Sequence, residues 1–126
     1  MNPYYHSKSS VKKWKGKIED YLPIHTLLDD PKTCMNNHTN RFATHNIWFC
    51  YKIIPMIFGY TITNSDGKEV DTTDVALLHV AEDFRFKFIP TLEDYLKHME
   101  VQDWMKNANK TIQSQESIDN IKLLKK

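Results

Sequence analysis

The chain has 126 residues, a formal net charge of +1, 40% apolar and 12% aromatic side chains, which suits one hydrophobic core and excludes a disordered chain. Its longest apolar run, residues 47 to 60, is interrupted by Lys52 and Pro55 and is too short for a membrane helix of about 20 residues. The polar, basic start from Met1 to Lys17 lacks the pattern of an export signal, so a cytoplasmic chain with Cys34 and Cys50 as free thiols is expected.

The fold expected is mainly α, a compact single-domain helical fold with one short β-hairpin. Residues 1–106 read as the helical domain and 107–126 as a polar basic tail. Met1 to Ser10 is expected to be extended, with Ser9 or Ser10 capping a short helix through Trp14 that Gly16 stops. Ile18 to Asp30 reads as a second helix, because Tyr21, Ile24, His25 and Leu28 recur at helical spacing; Pro23 is assigned to its first turn and Pro31 ends it. Arg41 to Phe58 reads as one long central helix with Phe42, His45, Phe49, Ile53 and Met56 on a stripe that Trp48 and Ile57 widen. Pro55 should kink or shorten it, and Gly59 should stop it.

Tyr60 to Thr63, the turn Asn64-Ser65-Asp66-Gly67 and Lys68 to Asp71 predict the hairpin. Thr72 or Thr73 should cap a helix through Phe84, with Asp74 in its first turn. Thr91 with Asp94 resembles a capping box opening a last helix through His98 and on towards Trp104. The core expected from these phases is Phe42, Trp48, Phe49, Ile53, Leu77, Val80 and Phe84.

Charge is uneven. Residues 1–17 hold five lysines and no acid, residues 106–126 five lysines against two acids, and the body between them carries about −7. Tyr4, Tyr5 and Trp14 interleave with Lys8, Lys12, Lys13 and Lys15, an arrangement that stacks bases and contacts phosphate, or else simply packs on the body. Fifteen lysines against two arginines argue against base-specific reading, since arginine makes most bidentate contacts to guanine.

Six histidines are the other chemical signal. His79 and Asp83 stand one helical turn apart, so imidazole and carboxylate share a face and suit one metal ion or an acid/base pair. His45 on the central helix and His25 on the second would complete a site for a divalent metal such as zinc if the helices converge. The competing reading of each is a hydrogen-bonded core histidine. His6 and His98 have no evident partner, and His38 sits in a polar loop.

The motifs NPYYHSKSSVKKWKGKIEDYLPIH (2–25), RFATHN (41–46), TITNSDGKEV (61–70), HVAEDF (79–84) and FIPTLEDYL (88–96) resemble, in this order, a family of small uncharacterised bacterial and bacteriophage proteins. The resemblance spans residues 2 to about 105. It implies a bacterial cell or phage-infected host as the setting, and no activity. Asn40 and Asn46 stand where it implies further histidines, and Lys15-Gly16 where it implies paired glycines.

Two functions are therefore expected, the first preferred because the second requires the helices to converge. One is a small interaction or accessory protein with a protein partner, or with nucleic acid at its basic termini. The other is a metal-binding helical domain, or small metal-dependent hydrolase, using His25, His45, His79 and Asp83.

Overall fold

The computed structural model describes residues 2–35, 38–97 and 123–125. Helix α1 runs from Pro3 to Trp14 and α2 from Ile18 to Asp29, followed by 3-10 turns at Asp30–Thr33 and His38–Phe42. A helix beginning at Ile47 passes through a π-helical turn, Phe49–Ile53, into α3, Ile54–Phe58. Strands β1 (Thr61–Thr63) and β2 (Glu69–Asp71) pair antiparallel, with Ile62 opposite Val70, and α4 (Thr72–Asp83) and α5 (Leu92–Leu96) follow. The architecture is mainly α with one short hairpin, as the sequence implies.

Helix α1 packs along α2, α4 lies against both, and the π turn and α3 close over α4. Tyr21, Ile24 and Leu28 of α2 meet Phe49, Cys50 and Ile54, and Val75, Ala76 and Val80 of α4, with Val70 reaching in from β2. The hairpin turn is tied to the α1–α2 junction. Buried Asn64 donates from Nδ2 to the Trp14 carbonyl (3.0 Å) and the Tyr21 hydroxyl (3.2 Å), and Asp20 accepts from the Ser65 amide (2.8 Å). Gly16, at φ +81°, lies so close that a Cβ there would come within 2.6 Å of Asp20 Oδ2, so this corner admits glycine alone.

Four sequence expectations are corrected. Residues 3–10 are helical instead of extended: Asn2 Oδ1 accepts the Tyr5 amide (3.0 Å) as N-cap, and Pro3 supplies a first helical position that needs no N–H. Pro23 is in the second turn of α2, not the first, because that helix begins at Ile18. The long central helix is broken. Asn46 Nδ2 donates to the Phe42 carbonyl (3.0 Å) while its Oδ1 accepts the Phe49 amide (2.8 Å), so a new helix starts after it and His45 lies in the preceding turn. The break at Asn46, and after it the π turn, take the chain off the single stripe expected. Phe42 and Trp48, expected in the core, are 40% and 49% exposed, and Met56 is 77% exposed, while Cys50 and Ile54 take the buried positions.

Phe49 and Val80 are buried as expected, and Ile53, Leu77 and Phe84 are half-buried. The hairpin, the Thr91–Asp94 capping box and the stop at Gly59 (φ +85°) follow the sequence reading. The cysteines are free, Cys34 exposed and Cys50 buried. The extension of α5 past Leu96, His98, and the tail 107–126 apart from residues 123–125 lie outside the described residues. Among the described residues no helix is long and apolar enough to cross a membrane.

Candidate metal centre

Helical period puts His79 and Asp83 on one face of α4, and the same period puts His25 and Asp29 on the facing side of α2. The turn before Ile47 delivers His45, held by Tyr95 of α5, whose hydroxyl donates to the His45 carbonyl (2.7 Å). Asp83 Oδ2 lies 2.7 Å from His45 Nε2 and 3.3 Å from His79 Nε2. Asp29 Oδ1 lies 3.1 Å from His79 Nε2 and 3.9 Å from His45 Nε2. The four groups can each present one atom within 4.8 Å of all the others. An ion bound tetrahedrally at 2.0–2.1 Å has ligand atoms roughly 3.3 Å apart, and the four contacts bracket that spacing.

The far side of each ring is also occupied. Thr44 Oγ1 donates to the Leu28 carbonyl (2.5 Å), which spends its only hydrogen, so at 2.9 Å it must accept from His45 Nδ1. A neutral His45 protonated there turns a bare Nε2 lone pair toward the Asp83 carboxylate. Either a second proton or a cation has to lie between them. Burial opposes the proton, lowering the His45 pKa against the pull of Asp83.

His79 Nδ1 meets His25 Nδ1 at 2.8 Å, and His25 Nε2 meets Ser10 Oγ at 2.8 Å. Burial, reinforced by charge on His79 and His6, pushes His25 down to about 2, so it stays neutral. Burial also works against a charged His79, but hydrogen bonds to Asp29 and Asp83 outweigh it and raise its pKa. Asp83 and Asp29 are driven the other way. Burial would raise them, yet imidazole hydrogen bonds prevail and hold both below the usual carboxylate range, Asp83 far below it. Two ionised carboxylates, Asp29 and Asp83, beside the neutral rings of His25 and His45 give this interior oxygen and nitrogen donors suited to a divalent cation.

Of the residues singled out in sequence, His45, His79 and Asp83 therefore converge. His25 lies behind His79, facing its Nδ1, on the side away from the carboxylates. Asp29 takes the place expected for His25. Its signal was present, since it stands four residues after His25. His6 was missed because residues 1–10 read as extended; on a helix from Pro3 it shares a buried face with Ser10. The contact residues expected on α1 divide. Tyr4 and Tyr5 are about half exposed and sit edge to face (5.8 Å) under Lys8, and Lys12, Lys13 and Lys15 are exposed. Trp14 is half-buried against Tyr21 (6.1 Å) and the core.

The fold and the centre define a small helical domain with a buried imidazole–carboxylate cluster. Residues 1–105 match the model of a family described as a domain of unknown function (DUF6915), and the chain belongs to that family. No curated protein and no solved structure was found to match it.

Proposed function

We propose that this protein is a metal-binding helical domain that holds a divalent transition ion through Asp29, His45, His79 and Asp83. The observation that carries this reading is the orientation of His45, whose Nδ1–H is committed to Thr44 while Nε2 faces Asp83 at 2.7 Å. Metal-bound histidines regularly have the other ring nitrogen fixed in this way, which sets the tautomer. Mixed imidazole and carboxylate ligands suit zinc, iron(II) or manganese(II). All four side chains are at most 5% exposed, which favours an ion that ties α2, α4 and the His45 turn together over an ion with a wide substrate opening. Bound there, the ion would supply Lewis acidity; hydrolysis of a small substrate is the activity open to such a centre. The setting we propose is the cytoplasm of a bacterium or phage-infected host.

Elemental mass spectrometry of untagged, purified protein tests the reading. At least one equivalent of a divalent transition metal per chain is expected, falling below 0.1 equivalent (~10% or less of the wild-type content) in Asp83→Ala, in line with the loss of a ligand. Metal-free wild-type protein that takes up none on dialysis would sink it.

An interaction role is the second reading, supported by one exposed apolar surface. Trp48, Tyr51, Met56, Ile57 and Tyr60 are all about half exposed or more. Apolar area of this kind marks macromolecular contact sites. Nucleic-acid contact through α1 is its other form, and titration with duplex DNA at two salt concentrations separates the forms: Lys12→Glu with Lys13→Glu should weaken binding only if phosphate is the ligand.

A further inference from the structure

Helix α1 brings a fourth buried imidazole to the centre. His6 is fully buried, and its Nε2 is one of two buried side-chain atoms among the described residues with no hydrogen-bond partner; the other is Asp29 Oδ2. Its Nδ1 meets Glu82 Oε1 at 3.1 Å, and Ser9 fixes that carboxylate by donating to Oε2 at 2.6 Å. A carboxylate behind one nitrogen and an unengaged lone pair on the other is how a ligating histidine is prepared. The unengaged Nε2 lies 3.2 Å from Asp83 Oδ1, whereas His45 and His79 face Oδ2 of the same carboxylate.

His6 cannot share the ion of His79. The two rings stack with centroids 3.6 Å apart and planes inclined by 21°. A ligated ion lies in the plane of its imidazole at about 2.0–2.1 Å from nitrogen, and two nearly parallel planes this far apart do not meet there. They do fit two ions side by side, since paired ions in two-metal sites stand about 3.5–4 Å apart.

From this geometry we infer that His6 Nε2 and Asp83 Oδ1 hold a second divalent ion, so that Asp83 bridges a dinuclear centre. The inference rests on the single-ion reading above and extends it. His6 and His79 each ligate one ion of the pair, and the Asp83 carboxylate gives one oxygen to each. Water completes the shell of the second ion. Glu82 is a positioning residue, holding the His6 ring in register.

The test counts ions in the full-length, untagged protein after loading with Mn2+ and desalting. Two Mn2+ per chain are expected, with the electron paramagnetic resonance spectrum of an exchange-coupled pair. His6→Phe keeps a stacked ring but removes both nitrogens, and it should hold one Mn2+ with an uncoupled spectrum. A wild-type count of one, or a count of two in His6→Phe, overturns the bridged site and leaves the single-ion reading standing. A wild-type count of zero overturns both. The wild-type count and spectrum decide the matter even if His6→Phe does not fold.

Discussion

Between α1, α2 and α4 lie four imidazoles and two carboxylates with almost no access to water; on the outer side of the π turn and α3, Tyr51, Met56, Ile57 and Tyr60 face solvent. Globular chains ordinarily distribute these residue types the other way round. Helix α4 serves both regimes, with Val75, Ala76 and Val80 in the apolar core and His79 and Asp83 in the polar interior. The contrast separates stability from chemistry. Buried ionisable groups cost desolvation that an apolar replacement would avoid, which is what the proposed ion would offset, and the exposed apolar side chains are the basis of the second proposed reading.

Four measurements would break or sharpen this contrast. Asp83→Ala should have the largest effect, about 3–5 kcal/mol by urea unfolding, because it removes the buried carboxylate that faces three imidazoles; a loss under 1 kcal/mol would show the cluster to be energetically idle. Saturating divalent metal at 100 times its dissociation constant should add about 2.7 kcal/mol, seen as a chelator-reversible rise in Tm.

Acid should act next. His25 and His45 have folded pKa values below the ordinary 6.5, so beneath that pH the unfolded chain takes up protons that the native rings refuse, and stability falls, with His25 contributing down to about pH 2. Each such group tilts stability by up to ~1.4 kcal/mol per pH unit. His79 opposes them: its raised pKa gives a contribution that is full below pH 6.5 and lost as pH rises through the folded value. Its opposing slope therefore lies above pH 6.5, so the metal-free protein should lose stability from pH 6.5 to 5, and a urea midpoint constant over that range would contradict the neutral state assigned to His25 and His45. The smallest effect belongs outside: Met56→Glu or Tyr51→Ser should shift stability by less than ~0.5 kcal/mol, as at surface sites generally. A larger loss would mean that this face is covered within the protein itself.

Local chemistry was the readable part of the sequence. The turn Asn64–Gly67, the Thr91–Asp94 box and the pairing of His79 with Asp83 each depend on residues within four positions of one another. The breaks in regularity were harder. Asn2-Pro3 and Asn46 both start helices, yet an apolar stripe read from Arg41 to Phe58 outweighed Asn46, and the aromatic, hydroxyl-rich start hid the cap at Asn2. The π turn has no local signature beyond Pro55, whose missing N–H it helps to accommodate. His6 and Asp29 joined the site only once tertiary packing set α1 beside α2 and α4.

The cluster draws on residues 6, 29, 45, 79 and 83, which span more than half of the chain. At a synthesis rate of roughly 5–20 residues per second, about 4–15 s separate the appearance of His6 from that of Asp83. Until Asp83 emerges from the ribosome, no fragment contains the carboxylate that touches His6, His45 and His79 together. Helices α1 and α2 must wait with their polar faces unmatched, and a chain cut short before α4 ends can never match them. Closure of this interior therefore waits on Asp83, and it separates a chain that has reached the end of α4 from every shorter one.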